Sequence, residues 1–258
     1  MSALIARGLR DHRRVPLTWG GSLGAMSALI AAIWPSIEGS VDELVGSYPE
    51  RLKEAFNIRA LTSVESYIDA EMLSLIVPLA IGVLAVRVVA RATAGAEELG
   101  YLDTLLATPV RRRTLVMSAF ATSGIVVAVV LVIVAVATWI AATVAGADPA
   151  TVVLARGFAN VWPLAVLFAG VGALAAGLLR GSGVVTGIAA GTLVGAYVTD
   201  LVGKLAPGLS AVRDISPFKY YGSAIQDGID PVAFGALVLA GTLLAAAGAL
   251  AFERRDLG

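Results

Sequence analysis

Six long runs of apolar residues divide the chain, and each run is bounded by charged residues, glycine or proline. An apolar run of about 20 residues can span the roughly 30 Å hydrocarbon core of a bilayer as a helix. The pattern therefore predicts an all-α membrane protein whose six transmembrane helices form a single domain over residues 1–258. The runs lie at Val15–Trp34, Met72–Val89, Thr114–Ala145, Gly157–Leu179, Gly183–Lys204 and Val232–Phe252.

Composition supports this class of protein. Apolar residues make up 58% of the chain and charged residues 15%, and the mean hydropathy is +0.85. The absence of cysteine excludes disulfides and thiol catalysis, and the single histidine, His12, excludes a histidine metal cluster. We expect His12 to be a solvated residue beside the membrane. An arginine-rich start leads directly into a full-length span, so we predict that the first span is the targeting signal and is not cleaved.

Lysine and arginine are unequally shared between alternate connections. One side has 12 basic and 6 acidic residues, whereas the other has 7 basic and 13 acidic residues. Because basic residues favour the cytoplasmic side, both termini are predicted to be cytoplasmic in the plasma (inner) membrane. The tryptophans fit this topology, with Trp19 near one inner boundary and Trp34, Trp139 and Trp162 near outer boundaries. The basic residues of the first side are Arg7, Arg10, Arg13, Arg14, Arg87, Arg91, Arg111, Arg112, Arg113, Arg180, Arg254 and Arg255.

Two pairs of charged residues lie inside or at the ends of the spans. Arg87 and Arg91 occur late in the second span, where their long side chains can reach the cytoplasmic headgroups as anchors, or can contribute to a substrate site. Asp200 and Lys204 are four residues apart near the outer end of the fifth span. This spacing predicts a helical ion pair, with a substrate contact as the alternative.

The longest stretch between spans, residues 35–71, is predicted to be a helical external loop. Two capping-box patterns, Ser47-x-x-Glu50 and Thr62-x-x-Glu65, indicate two helix starts within it. Apolar residues recur at helical spacing between Val41 and Phe56, as expected for a helix on the outer membrane surface. This loop either packs on the ends of the spans or gates the pathway.

Glycine recurs every four residues along the fifth span, which leaves one helix face without side chains. Such a face allows another backbone to approach closely. Two partners are open, namely another helix of the same bundle and a second chain across a dimer interface. The residues are Gly183, Gly187, Gly191 and Gly195.

The connection between the second and third spans, residues 94–113, is the most informative segment. Its leucines, Leu99, Leu102, Leu105 and Leu106, fall on one helical face, while the acidic side chains of Glu97, Glu98 and Asp103 project elsewhere. Pro109 ends the pattern, and three arginines, 111–113, precede the third span. We therefore predict a short amphipathic helix at the cytoplasmic membrane surface.

The order of residues in this segment carries a resemblance. Glu97-Glu98-Leu-Gly100-Tyr101-Leu102-Asp103-x-Leu105-Leu106-Ala-x-Pro109-Val-Arg-Arg is similar to the signature of ABC-2 type permeases, the membrane subunits of ABC exporters. Ser216-Pro217 and the segment Phe252 to Leu257 extend the resemblance, which covers essentially the whole chain. The chain differs from the usual signature at Tyr101, where threonine is usual, and at Arg111, where serine is usual.

The resemblance implies that this chain exports a substrate while a separate ABC ATPase subunit binds ATP and Mg²⁺. It also implies a second copy or a related permease, with the transport path between the two. No catalytic, cofactor, metal or nucleic-acid site is expected on the chain itself. The residues expected to couple to the ATPase are Glu97, Glu98, Gly100, Tyr101, Leu102, Asp103, Leu105, Leu106, Pro109 and Arg111.

The rest of the sequence agrees with an ATPase on another polypeptide. The phosphate-binding pattern Gly-x-x-x-x-Gly-Lys-Ser/Thr is absent, because none of the three lysines, Lys53, Lys204 and Lys219, follows that glycine spacing. The spans consist mainly of Ala, Val, Leu and Gly, which favours an amphipathic or apolar substrate such as a drug, lipid or peptide.

Three other functions are alternatives to an exporter, namely an ABC importer permease, an intramembrane enzyme and a secondary transporter. An ABC importer permease has a similar acidic and glycine-containing loop, although Gly100 and Pro109 are too close together for that motif. An intramembrane enzyme would need converging acids, and the best cluster is Asp227 and Asp230. A secondary transporter would need an ionisable residue at mid-membrane, and the centres of the spans contain almost none.

Overall fold

The computed structural model describes residues 1–40, 49–55, 63–98, 100 and 111–254, and within these ranges it contains helices and no strand. Six of the described helices are long and apolar enough to cross a membrane, which confirms the prediction of an all-helical protein with six candidate spans. In chain order, the first to sixth spans are Pro16–Ser40, Ile76–Glu98, Arg112–Val144, Thr151–Leu178, Ser182–Leu205 and Pro231–Arg254.

Shorter elements connect the spans. An N-terminal helix, Ser2–Asp11, precedes the first span. The second span has two parts, which are a helix over Ile76–Ala92 and a short helix over Ala94–Glu98. The remaining short elements are the helices Glu50–Ala55 and Val64–Ile68, the π-helical turn Asp69–Leu73, the 3₁₀ helix Pro207–Ile215 and the helix Pro217–Tyr221.

Two details of the predicted elements were wrong. The fourth span begins at Thr151, not at Gly157. Trp162 is therefore inside this span, where its indole Nε1 donates to the carbonyl of Gly124 in the third span at 2.9 Å, rather than at an outer boundary. In the external loop, the hydroxyl of Ser63 accepts from the backbone N–H of Ser66, so Ser63 caps the helix that the sequence pattern assigned to Thr62. Ser47 and Thr62 themselves lie outside the described residues.

The fourth span is the centre of the bundle and packs most closely on the sixth. A Cβ atom added at Gly170 would lie 2.2 Å from the carbonyl oxygen of Gly241, and one added at Gly177 would lie 2.3 Å from that of Gly248. Both distances are far below van der Waals contact, so these glycines let the two backbones touch. This glycine contact is not predicted from the sequence, because its seven-residue spacing is less conspicuous than the four-residue repeat of the fifth span.

The connections gather at two ends of the bundle, as expected for alternating spans. At one end, here called the terminal side, the N-terminal helix lies beside Arg91 and Leu115, and Arg180 pairs with Glu97. At the other end, the opposite side, Glu65 accepts from the backbone of Ala150. Arg91 and Arg180 therefore lie at the same end of the bundle as the N-terminal helix, as the alternation of the spans requires.

Candidate functional site

The second span bends before it reaches the predicted coupling segment. Thr93 is buried with φ −115° and ψ −86°, which are not helical angles, and it separates Ile76–Ala92 from Ala94–Glu98. Its hydroxyl donates to the carbonyl of Val89 at 2.8 Å, and this bond holds the end of the longer helix. The short helix that follows carries the first two predicted coupling residues.

Glu97 and Glu98 contact the connection between the fourth and fifth spans. The guanidinium Nε of Arg180 lies 3.8 Å from a carboxylate oxygen of Glu97, and the hydroxyl of Ser182 donates to Glu98 at 2.5 Å. Between them, Gly181 has φ +89°, and a Cβ added there would lie 3.2 Å from Glu98 Oε1. The first turn of the fifth span is thus tied to the start of the coupling segment.

The structure places two further predicted coupling residues. Gly100 is exposed and has φ +68°, a left-handed conformation in which glycine carries no Cβ penalty. Arg111 is exposed and extended, with φ −71° and ψ 138°, directly before the third span. The other predicted coupling residues lie outside the described residues, so the amphipathic helix there stays a prediction; they are Tyr101, Leu102, Asp103, Leu105, Leu106 and Pro109.

The glycine face of the fifth span has no neighbour within the described part of the chain. A Cβ added at any of its four glycines would meet nothing within 4 Å. Large apolar side chains beside this face, including Val184 and Ile188, are about half exposed, at 52% and 49%. Of the two partners left open by the sequence, packing inside the bundle has no support from the described contacts.

On the opposite side, the buried acid Asp69 joins the connection before the second span to the connection before the sixth span. This contact is not predicted from the sequence. Asp69, which is 2% exposed, accepts hydrogen bonds from Ser223 Oγ at 2.5 Å and from Gln226 Nε2 at 3.2 Å. Burial raises the pKa of Asp69 from 3.8 to about 6, and the charge of Asp227 adds to the rise, while the two hydrogen bonds oppose it. The sequence feature that could have indicated this buried acid is its position a few residues before an apolar span.

The connection before the sixth span is also fixed at a second point, Tyr221. Tyr221 donates from its hydroxyl to the carbonyl of Leu73 at 2.9 Å, and its own carbonyl accepts from Asn160 Nδ2 at 2.7 Å. Burial raises the pKa of Tyr221 well above its ordinary value, so the hydroxyl stays a donor. The loop before the sixth span is therefore bound to the entrance of the second span and to the fourth.

The predicted pair of Asp200 and Lys204 belongs to a group of three charges. Lys204 Nζ and Arg213 Nε each lie 3.0 Å from one carboxylate oxygen of Asp200, whose side chain is 3% exposed. Arg213 comes from the 3₁₀ helix, so the cluster holds that helix against the end of the fifth span. This arrangement supports a structural role for the pair.

The acids considered for an enzyme do not form a metal site with the described residues. Asp230 accepts from the backbone N–H groups of Val232 and Ala233 at 2.8 and 3.2 Å, which makes it the cap of the sixth span. Asp227 lies near Asp69 and raises its pKa. Within the described ranges there is no group of three or more His, Asp or Glu side chains placed to hold a metal ion.

Comparison with known proteins gives one family. The sequence model described as "Multidrug efflux system permease Rv1217c, C-terminal domain" matches residues 3–253, which is nearly the whole chain. No curated protein matches the chain. The match agrees with six candidate spans and identifies a multi-pass membrane permease of an efflux system.

Proposed function

Because the chain belongs to the family of this multidrug efflux system permease domain, we propose that it is the membrane subunit of an ATP-driven exporter. ATP is hydrolysed by a separate ABC ATPase subunit, which binds the cytoplasmic segment between the second and third spans. In this proposal the terminal side is the cytoplasmic side. The resemblance to ABC-2 type permeases in residues 97–112 and the absence of a phosphate-binding sequence support the assignment.

The observation that carries the coupling role is the contact of Glu97 and Glu98 with residues 180–182. A segment held only by the second and third spans could move those two spans alone. The bond from Ser182 to Glu98 connects it also to the first turn of the fifth span. Movement of the segment by an ATPase would then shift three spans together, as rigid elements move in domain closure.

A second permease chain would complete the exporter. The open glycine face of the fifth span, Gly183 to Gly195, is the surface proposed to meet it. Helix association in lipid depends on close packing of small residues, because lipid chains are as apolar as the helices. The transport path would then lie between the two chains.

An apolar or amphipathic cargo is proposed because the spans consist mainly of Ala, Val, Leu and Gly. The pockets described along the third and fourth spans are apolar. The largest of those described, about 450 Å³, lies along the third and fourth spans and is lined almost entirely by apolar side chains. Trp162 and Phe234 line it with rings stacked 6.1 Å apart.

Affinity purification tests the proposal. The tagged chain is solubilised in mild detergent from its native host, and co-purifying proteins are identified by mass spectrometry. We expect an ATPase with a Gly-x-x-x-x-Gly-Lys-Ser/Thr sequence to be enriched with the chain. A matched sample carrying Glu98→Lys and Asp103→Lys should retain less ATPase. If neither sample retains an ATPase, even after chemical crosslinking in the membrane, the proposal is wrong.

A further inference from the structure

A cavity of about 320 Å³ lies on the terminal side, between the N-terminal helix, the end of the second span and the start of the third. We call it the terminal cavity. Its wall is mixed, with an apolar part and a charged part. The apolar part includes Leu4, Val15 and Leu115, and the charged part includes Arg7, Asp11 and Arg91.

The N-terminal helix closes one side of the terminal cavity by packing directly on the third span. A Cβ added at Gly8 would lie 2.8 Å from Thr122 Oγ1, so a larger residue there would displace the Thr122 side chain or the helix. The hydroxyls in the wall are already used, because Thr122 donates to the carbonyl of Ser118 at 2.7 Å and Ser118 donates to that of Leu115 at 2.8 Å. His12 also lines the cavity, and its Nδ1 lies 2.9 Å from the carbonyl oxygen of Gly8. The guanidinium groups are therefore the permanently charged donors that the wall offers to a ligand.

The charge of the terminal cavity favours an anion. Arg91 is exposed and makes no hydrogen bond or ion pair with the described residues. Arg7 pairs only loosely with Asp11, at 3.8 Å, and both side chains are more than half exposed, so the pair has little strength. Two arginines against one aspartate leave a net positive wall, and guanidinium groups bind phosphate oxygens with two parallel hydrogen bonds.

The position of the cavity in the membrane points to a lipid as the source of that phosphate. The third span has 33 residues and is about 50 Å long at 1.5 Å per residue, so it exceeds the hydrocarbon core by about 20 Å. Trp139 near its far end is 39% exposed, as expected at an interface. Counting about 20 residues back from Trp139 places the other edge of the hydrocarbon near Ala119, which lines the cavity.

We infer that the terminal cavity binds the phosphate headgroup of an anionic phospholipid, with Arg91 and Arg7 as the phosphate ligands and the apolar wall against the glycerol and upper acyl chains. The bound lipid would join the N-terminal helix to the second and third spans. This assignment does not depend on the ATPase or on the direction of transport.

The test compares two matched double variants of the full chain. Arg7→Gln with Arg91→Gln removes both proposed ligands. Arg10→Gln with Arg87→Gln removes the same charge from the same two helices, at exposed arginines that do not line the cavity. Delipidated protein in detergent is titrated with phosphatidylglycerol, and bound lipid is counted by native mass spectrometry. We expect the first double variant to lose about tenfold or more in affinity, whereas the second stays within about twofold.

Further binding measurements identify the ligand. Phosphatidylcholine should bind the natural chain more weakly than phosphatidylglycerol, and inorganic phosphate or glycerol 3-phosphate should not displace bound lipid at millimolar concentration. The variant Arg7→Lys with Arg91→Lys keeps the charge but not the paired hydrogen bonds, so its affinity should lie between those of the natural chain and the glutamine variant, and its binding controls for misfolding. Equal losses in both glutamine variants, or no loss in either, would overturn the site, and displacement by glycerol 3-phosphate would overturn the lipid as its ligand.

Discussion

Single glycines decide which helices of this protein can touch. Gly241 faces the backbone of the fourth span, where an added Cβ would lie 2.6 Å from the carbonyl oxygen of Val166. Backbone atoms cannot rotate away as a side chain can, so the two spans would have to separate. Gly235, on the same sixth span, has nothing within 4 Å of an added Cβ. The two positions therefore differ in packing and not in type of residue.

This difference predicts the effect of one methyl group. Gly241→Ala should lower the free energy of unfolding by about 1–3 kcal/mol, as overpacking of a tight core does. Gly235→Ala should leave it unchanged or raise it slightly, because alanine favours helix. Thermal unfolding of both variants in the same detergent measures the effect. Equal melting temperatures would show that the fourth and sixth spans are not in backbone contact.

Asp69 predicts a pH dependence of stability. Its pKa is raised to about 6 in the folded chain, above the ordinary value of 3.8. Between these values the folded state keeps a proton that the unfolded state has lost, so stability falls as pH rises from about 4 to about 6. Below that window the carboxyl is neutral in both states, and above it the full cost of the buried charge is present.

The variant Asp69→Asn should lack this dependence. Its stability relative to the natural chain should increase as pH is raised from 4 to 7, by at most about 3 kcal/mol. Chemical unfolding at a series of pH values measures the difference. The control is Asp230→Asn, which changes an exposed aspartate that caps the sixth span. A difference that does not change with pH would mean that Asp69 ionises in the fold as it does in water.

At the scale of elements, the spans were easier to predict than their ends and contacts. The apolar runs identified all six because the membrane requires length and apolarity together. They missed the first turn of the fourth span, since Thr151 to Arg156 contains a hydroxyl and a charge that a hydropathy count places outside the membrane. Arg156 instead donates to the carbonyl of Ile225 at 2.6 Å, a long-range contact with no local signal.

In the candidate site, too, contacts between residues far apart in the chain could not be predicted from the sequence. The order of residues singles out the segment 94–113 as a candidate, which stays a prediction. The bonds from its first residues to Arg180 and Ser182 join positions more than 80 residues apart and have no local signal. Asp200 and Lys204 were paired correctly from their helical spacing. Their third partner, Arg213, belongs to a 3₁₀ helix whose course over the fifth span depends on tertiary packing.

The charge cluster predicts how the 3₁₀ helix Pro207–Ile215 is held. Asp200→Asn leaves Lys204 and Arg213 close together without their shared carboxylate, so the helix should loosen and trypsin should cleave after Arg213 several times faster. Asp214→Asn removes an exposed partner of Lys219 and should change the rate little. Equal cleavage rates for the two variants would show that the cluster does not fasten this helix.

For the whole molecule, the proposed partner chain has a direct test. The chain contains no cysteine, so an introduced thiol has no partner within its own chain and can link two copies only through its counterpart. Gly191→Cys should form a disulfide-linked dimer in membranes under mild oxidation, whereas Gly235→Cys, also open but on the sixth span, should not. Equal crosslinking at both positions, or at neither, would count against the glycine face as the contact between copies.

In the proposed function, an ATPase drives export through the segment at residues 97–113. Its most direct measurement is uptake of an apolar fluorescent dye by inside-out vesicles that contain the chain and its ATPase. We expect uptake that requires ATP and falls at least about tenfold with Glu98→Lys and Asp103→Lys together, while both proteins remain in the vesicles. Undiminished ATP-driven uptake by the doubly reversed chain, or equal uptake without the ATPase, would contradict it.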